Sequence, residues 1–188
     1  AAKVGRAMPS VGRRGLSVCA MSGIDIALWD LLGKALDQPI WRLLGGKTKP
    51  TLPIYASCGW SGIEDIGEEL NQSLNRTGAR AVKMRVGASY GGVEASIARV
   101  NEARRAIGSD VDLMVDAHGT FNAVEAKIFA VGTEQARLRW FEEPVSSDAQ
   151  HALPALRAAS LCAIASGEND CTRFDFVRYV ETEALDVL

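Results

Sequence analysis

Three acidic residues follow three successive β-rich runs of the sequence: Asp116, Glu142 and Glu168. If these runs are neighbouring parallel strands, about 4.8 Å apart, the three carboxylates converge on one small volume. Carboxylates that close raise one another's pKa values unless a cation lies between them. Oxygen ligands suit a hard ion, so the spacing predicts a Mg²⁺ site. Glu143 remains an alternative to Glu142, because adjacent strand residues face opposite sides.

Two cations and an imidazole accompany this acidic group. Lys83 and Arg85 are two residues apart and share one face of a strand, where they could bind an anionic substrate or lie at a solvated edge. Crowding by a second cation could lower the pKa of Lys83 towards that of a usable base. His118 follows Asp116 by two residues and could transfer a proton near neutral pH. His151, on a predicted helix, is interpreted as a surface or structural residue.

Short β-rich runs alternate with helical segments from residue 54 onward, which predicts βα units around a parallel sheet. Strands are expected at residues 54–57, 81–86, 111–116, 138–142 and 162–167, and helices at 63–75, 93–107, 123–133 and 149–158. No G-x-G-x-x-G motif follows the first strand, and polar residues recur where strands end. These features favour a TIM-type barrel over an open dinucleotide-binding sheet.

A complete barrel needs about 250 residues, so the sequence predicts an incomplete one. Residues 184–188 form the expected start of a sixth strand. Because the chain does not begin with Met, we expect it to be part of a longer protein.

A long amphipathic helix is expected at residues 22–44, split or kinked at Pro39, with Gly45 and Gly46 at its end.

Composition bounds the function further. The 188 residues carry a net charge of −2 and 47% hydrophobic residues, which argues against binding to nucleic acid or to a membrane surface. Asp25, Asp30 and Lys34 interrupt the longest apolar stretch, so no transmembrane span is expected. The four cysteines form neither a zinc pattern nor a disulfide framework, which predicts reduced core thiols in a cytoplasmic protein.

Six short motifs, in this order and spacing, resemble the mandelate racemase and muconate lactonizing branch of the enolase superfamily. They are Ser-Gly-Ile-Asp-Ile-Ala-Leu-Trp-Asp over 22–30, Leu-Leu-Gly-Gly over 43–46, Val-Lys-Met-Arg-Val-Gly over 82–87, Val-Asp-Ala-His over 115–118, Trp-Phe-Glu-Glu-Pro over 140–144 and Ser-Gly-Glu-Asn over 166–169. The resemblance implies an α/β fold: a modified (β/α)7β barrel over residues 51–188, preceded by the C-terminal helix of an α+β capping domain in residues 1–50.

The resemblance also implies a chemistry. It assigns Mg²⁺ to Asp116, Glu142 and Glu168, settles the choice between Glu142 and Glu143 for the first, and implies removal of the proton α to a carboxylate to give an enediolate. Many relatives have a second Lys where this chain has Arg85, which stays protonated and suits a carboxylate clamp better than a base. Asp-Ala-His at the metal strand is similar to acid-sugar dehydratases, in which that His protonates the leaving hydroxyl.

The expected protein is therefore a Mg²⁺-dependent acid-sugar dehydratase, with Lys83 and His118 catalytic and Arg85 and Lys83 binding the substrate. A racemase, an epimerase or a cycloisomerase using Lys83 is the alternative within the family, and a non-catalytic fragment is the alternative outside it. The resemblance places a further Asp and His base after Leu188, so we expect this chain alone to be inactive. It also implies a homo-oligomer.

Overall fold

The computed structural model describes residues 14–188, which form two compact units. The first contains the described residues up to Leu52 together with Asp170–Phe176, and the second contains Pro53–Asn169 and Val177–Leu188. The first unit holds helices α1 (Leu16–Leu36) and α2 (Ile40–Leu43). Asp37, in the left-handed conformation at φ 49°, ends α1, and Pro39 precedes α2. The predicted break at Pro39 is therefore confirmed, although α1 begins six residues earlier than expected.

Helix α1 is not amphipathic in the way the sequence indicated. Ile24, Ile26 and Leu28 are all exposed, and Gly33 is its buried residue. Apolar side chains two positions apart cannot share one helical face, so the helix is apolar around most of its surface. By length and composition alone α1 could cross a membrane, contrary to the expectation from its charges, but core helices of soluble proteins pass the same test.

The second unit is built on five parallel strands whose spatial order follows the chain. They are β1 (Ala56–Cys58), β2 (Ala81–Arg85), β3 (Asp112–Asp116), β4 (Trp140–Glu142) and β5 (Ala163–Ala165). Each pairs in parallel with the next, and a bridge between Ala165 and Val187 begins a fifth pairing. Consecutive parallel pairing is the arrangement of a barrel wall, so the predicted α/β class and five-strand order are confirmed.

Five helices accompany these strands: α3 (Ile66–Thr77), α4 (Gly92–Ile107), α5 (Ala123–Gly132), α6 (Leu153–Ala159) and α7 (Arg173–Glu181). Short 3₁₀ turns lie at Ala88–Tyr90, Glu134–Ala136 and Ser147–Ala152. The last of these replaces the first half of the helix predicted over 149–158. Pro154 lies in the first turn of α6, where its missing N–H costs no hydrogen bond. His151 is exposed in the 3₁₀ turn, at the surface position expected for it.

Alternate strand residues form the core on the outer face of the sheet. Fully buried side chains point to this face from β2, β3, β4 and β5: Val82, Met84, Leu113, Val115, Phe141 and Ile164. Phe129 of α5 packs on Phe141 with ring centroids 4.7 Å apart, and both rings lie near Phe121. The helices therefore cover one face of the sheet, and the polar side chains at the strand ends point to the opposite face.

Two charged side chains fix the loop that follows β1. The Glu69 carboxylate accepts hydrogen bonds from the backbone N–H groups of Gly59, Trp60 and Ser61. The buried Arg99 guanidinium donates to the carbonyl oxygens of Gly59 and Ser61 and, at 2.7 Å, to that of Arg85. The ends of β1 and β2 are thus held together by side chains.

The cysteines depart from the sequence expectation in one respect. All four are free, but Cys19 is exposed on α1 and is not a core thiol. Cys58 is buried and Cys162 is half-buried, and burial raises the pKa of both thiols. These two residues therefore behave as the structural thiols that the sequence predicted.

Candidate active site

The site lies where β2, β3 and β4 end. Arg85 is in register with Asp116, Asp116 with Glu142, and Glu142 with Ala165, so these residues form one row across the sheet. Asp116 is only 2% exposed. The guanidinium of Arg85 lies 2.9 Å from one of its carboxylate oxygens, and the other accepts the backbone N–H of His118 at 2.9 Å. Both oxygens are thus held in place.

His118 lies on a tight turn after β3. Its φ of 51° and the φ of 67° at Gly119 put two successive residues in the left-handed region, which is uncommon outside glycine. This turn aims the imidazole Nδ1 at Arg85, at Asp116 (3.4 Å) and at Glu168 (3.2 Å). In the contact with Arg85 the guanidinium is the donor and Nδ1 is the acceptor.

Asp116, His118 and Glu168 form a potential metal-ligand group. One donor atom from each lies within 4.8 Å of the others. The group contains two of the three predicted Mg²⁺ ligands, and it adds the histidine to which the sequence gave a proton-transfer role. In the part of the chain that the structure describes, Glu142 is not a member of this group. The predicted ligand set stays a prediction.

Glu142 is held instead by Lys83 and Trp140. The Lys83 ammonium lies 2.6 Å from one Glu142 oxygen and 3.7 Å from Asp116, and the Trp140 indole N–H donates to the other Glu142 oxygen at 3.1 Å. Lys83 also lies over the ring of Tyr55, at 5.6 Å. The ammonium therefore bridges two of the carboxylates that were expected to share a cation.

The expected lowering of the Lys83 pKa is wrong. Burial does act to lower it, but the hydrogen bond and ion pair with Glu142 and the charge of Asp116 outweigh burial, so the pKa of Lys83 is raised. Arg85 is the nearest charged residue to Lys83 in sequence, and its repulsion alone would lower the pKa of Lys83. Across the sheet the carboxylates are the nearer partners, and they stabilise the charged ammonium.

The sequence indicates Glu143 only as an alternative to Glu142 among the metal ligands, and the structure gives it a different set of partners. It is 2% exposed, and its carboxylate accepts hydrogen bonds from residues of the turn that carries Glu168. The pair of adjacent glutamates in the sequence already indicates that the two side chains have different roles. Adjacent residues at a strand end point to opposite sides, so only one of the two side chains can lie in the row of site residues.

The donors present fit a hard divalent cation. Asp116, Glu142 and Glu168 offer carboxylate oxygens, and the two cations beside them show that this part of the sheet carries negative charge needing compensation. Apart from His118, the three carboxylates and two cations sum to one net negative charge. A divalent ion would leave one positive charge, which one substrate carboxylate would neutralise.

Two family models match the chain. Residues 65–188 match the family model described as enolase C-terminal domain-like. Residues 3–45, which include α1 and α2, match the N-terminal domain of mandelate racemase and muconate lactonizing enzyme. The two matches together cover most of the chain.

The chain is 32% identical to D-galactarolactone cycloisomerase of Agrobacterium fabrum over 97% of its own length and 48% of that enzyme. It is 33% identical to D-galactonate dehydratase of Klebsiella pneumoniae over 90% of its length and 46% of the dehydratase. A crystal structure of an enolase from Bradyrhizobium, complexed with magnesium and mandelic acid, matches with a TM-score of 0.88 and 29% identity, covering 98% of this chain and 50% of that one.

The chain therefore spans about half the length of the curated relatives it matches. Its similarity to solved barrel proteins confirms the predicted incomplete barrel. The two family-model matches and the order of the strands agree with the motifs that lie at the strand ends. The chain belongs to the mandelate racemase and muconate lactonizing enzyme branch of the enolase superfamily.

Proposed function

We propose that the full-length protein containing this chain is an acid-sugar dehydratase that uses Mg²⁺ held by Asp116, Glu142 and Glu168. The observation that carries the proposal is the position of His118, whose imidazole lies among Arg85, Asp116 and Glu168 at the end of a barrel strand. The 33% identity to a D-galactonate dehydratase supports the substrate class. Dehydration of such a substrate yields a 2-keto-3-deoxy acid.

Arg85 suits the role of a substrate clamp. Its contacts with Asp116 and His118 both use the same guanidinium nitrogen, and 27% of the side chain is exposed. The remaining N–H groups can therefore reach a substrate carboxylate, and a guanidinium can bind a carboxylate through two parallel hydrogen bonds. Lys83 adds a second positive charge nearby, which helps to bind the same anion.

Removal of the α-proton places negative charge on the substrate carboxylate, and the site is organised to stabilise it. Bound Mg²⁺ would supply a Lewis acid for this developing charge. The Lys83 ammonium and the Arg85 guanidinium supply fixed positive charge beside it. Arg85 cannot accept the α-proton, because a guanidinium stays protonated in proteins, and Lys83 is paired as an ammonium with Glu142. We therefore assign the α-proton to a base of the full-length protein outside residues 1–188. His118 then donates a proton to the departing β-hydroxyl, which leaves as water.

A cycloisomerase is the second candidate, because the chain is 32% identical to a D-galactarolactone cycloisomerase. Its reaction would conserve the atoms of the substrate, whereas dehydration loses one water. The two proposals therefore differ in a property that mass spectrometry measures directly.

The test is a screen of the full-length protein with Mg²⁺ against aldonic acids, aldaric acids and their lactones. We expect a 2-keto-3-deoxy product, detected as the loss of one water, and no product when a chelator removes the metal. A product of unchanged mass would support the cycloisomerase instead. Exchange of the α-proton with deuterated solvent without any loss of water would support a racemase or an epimerase.

A further inference from the structure

We propose that Glu143 is a positioning residue, whose buried carboxylate fixes the turn that presents Glu168 to the site. This inference rests on the proposed function for its consequence, since Glu168 is there a metal ligand. The geometry on which it rests lies wholly within the second unit.

The contacts of the Glu143 carboxylate converge on one turn. Oε1 accepts hydrogen bonds from the Ser166 hydroxyl at 3.0 Å, from the Gly167 N–H at 2.7 Å and from the Glu168 N–H at 3.2 Å. Hydrogen bonds to an ionised acceptor are about twice as strong as neutral ones. Three consecutive residues of the turn are therefore held by a single oxygen.

The backbone of Glu143 joins the same turn to the one that carries His118. Its N–H donates to the carbonyl of Ala165 at 2.9 Å, and its carbonyl accepts the N–H of Gly119 at 2.8 Å. Glu143 itself adopts a φ of 42°, a conformation unusual for a residue with a side chain. A residue in this region persists there only when its surroundings hold it, and here the hydrogen bonds on every side do so.

Glu168 needs such support because its own side chain has little. Its side chain is 43% exposed, so packing does not define its position, and its carboxylate lies 3.2 Å from the His118 imidazole. A carboxylate on an ordered turn loses less conformational freedom when it binds a cation than one on a mobile turn. Glu143 therefore acts on the site through Glu168 without touching the substrate.

Two substitutions separate the acceptor from the mere presence of a side chain. Glu143→Gln keeps a carbonyl oxygen that can accept from the same three donors. Glu143→Met has similar length and fills the space but removes the acceptor. In metal-free protein, hydrogen–deuterium exchange of the Gly167 and Glu168 amides should become about tenfold faster in Glu143→Met and change much less in Glu143→Gln.

The Gly119 amide is the internal reference for this measurement. It donates to the backbone of Glu143, so its exchange should stay within about twofold in both variants. Equal acceleration at Gly119 and Gly167 would mean that the whole region had loosened, and it would overturn a specific action on the Glu168 turn. Unchanged exchange at Gly167 and Glu168 in Glu143→Met would overturn the proposal outright.

Calorimetric titration with Mg²⁺ tests the consequence for the site. We expect Glu143→Met to weaken Mg²⁺ binding by about 10- to 100-fold, the usual effect of removing a partner that orients a ligand, and Glu143→Gln to restore most of it. Glu69→Met is the matched control, because Glu69 also accepts several backbone N–H groups but does so in the loop after β1. It should leave Mg²⁺ affinity within about twofold.

Equal losses in Glu143→Gln and Glu143→Met, or a comparable loss in Glu69→Met, would overturn the positioning role. The proposed function fails in a different way: the wild-type protein would then bind no Mg²⁺. In that case the exchange of the Gly167 and Glu168 amides still decides whether Glu143 fixes their turn.

Discussion

Replacing Glu69 by Gln tests how much the loop after β1 depends on one carboxylate. One oxygen of Glu69 accepts from the N–H groups of Gly59 (2.7 Å) and Trp60 (3.2 Å). The other accepts from the N–H (2.8 Å) and the hydroxyl (2.6 Å) of Ser61. A glutamine amide presents one oxygen and one NH₂ group, so one of these two pairs must face a donor.

The least costly orientation turns the NH₂ group towards Ser61, whose hydroxyl can then accept. The Ser61 N–H is left without its acceptor, and the other hydrogen bonds lose their charged partner. A hydrogen bond to a charged group contributes about 1.5–3 kcal/mol and a neutral one about 0.5–1.5 kcal/mol. Because Glu69 is only half-buried and water replaces part of the loss, we expect the free energy of unfolding to fall by about 2–3 kcal/mol.

The effect should depend on pH. Burial acts to raise the pKa of Glu69, but its hydrogen bonds with Ser61, Trp60 and Gly59 outweigh it and lower the pKa. A lowered pKa in the folded state means that the stabilisation is complete above the unfolded value of about 4.3. It is lost as the pH falls through the folded value. The difference between wild type and Glu69→Gln should therefore be full at about pH 7 and smaller at about pH 3.

Urea denaturation of both proteins at these two pH values is the assay, with unchanged slopes showing that the compared states are the same. Glu68→Gln is the matched control, since Glu68 is exposed on the same helix and bonds to Gln72. It should change stability by less than about 0.5 kcal/mol. A Glu69→Gln effect no larger than the control at about pH 7, or one that is undiminished at about pH 3, would refute the reasoning.

Three further predictions concern the site and the core. His118→Asn in the full-length enzyme should slow dehydration by about 10²- to 10⁴-fold and leave exchange of the substrate α-proton intact, as followed by NMR in deuterated solvent; loss of both with metal still bound would contradict a role as proton donor. Glu142→Gln should weaken Mg²⁺ binding in calorimetry more than Glu143→Gln does, and the reverse order would contradict the assignment of Glu142 as the ligand. Phe129→Ala should lower the free energy of unfolding by about 3–5 kcal/mol in urea, because the fully buried ring packs on Phe121 and Phe141, and an effect below about 1 kcal/mol would contradict this packing.

The sequence predicted the strand ends well because their signal is local. The run that ends at Asp116 is apolar, β-branched in part and bounded by polar residues, and its strand ends at the predicted residue. Helix α7 (Arg173–Glu181) was not predicted. Its charged residues Arg173, Asp175 and Arg178 are interspersed with aromatic and β-branched residues, so no simple helical period stands out.

Side-chain partners were harder to predict, because they depend on neighbours that are distant in sequence. The expected pKa of Lys83 depended on Arg85, which is two residues away in sequence. The nearest partner of Lys83 is instead Glu142, 59 positions later. The direction of the Glu143 side chain depends on a left-handed φ, which the conformational propensity of glutamate does not predict. The sequence therefore predicted which residues lie together at the strand ends, but not the pairing of charges among them.

The alternation of the strands has an evolutionary consequence. Val82 and Met84 point to the helices, while Lys83 and Arg85 point to the site, although all four belong to one strand. In the proposed role of Arg85, a mutation there changes substrate binding without disturbing the packing that keeps the barrel wall folded. Each strand end contributes its own side chains to the site. Single replacements at these positions can therefore produce new activities without changing the residues that stabilise the barrel. This separation gives a physical reason why one barrel can support both lactone and sugar-acid chemistry among its relatives.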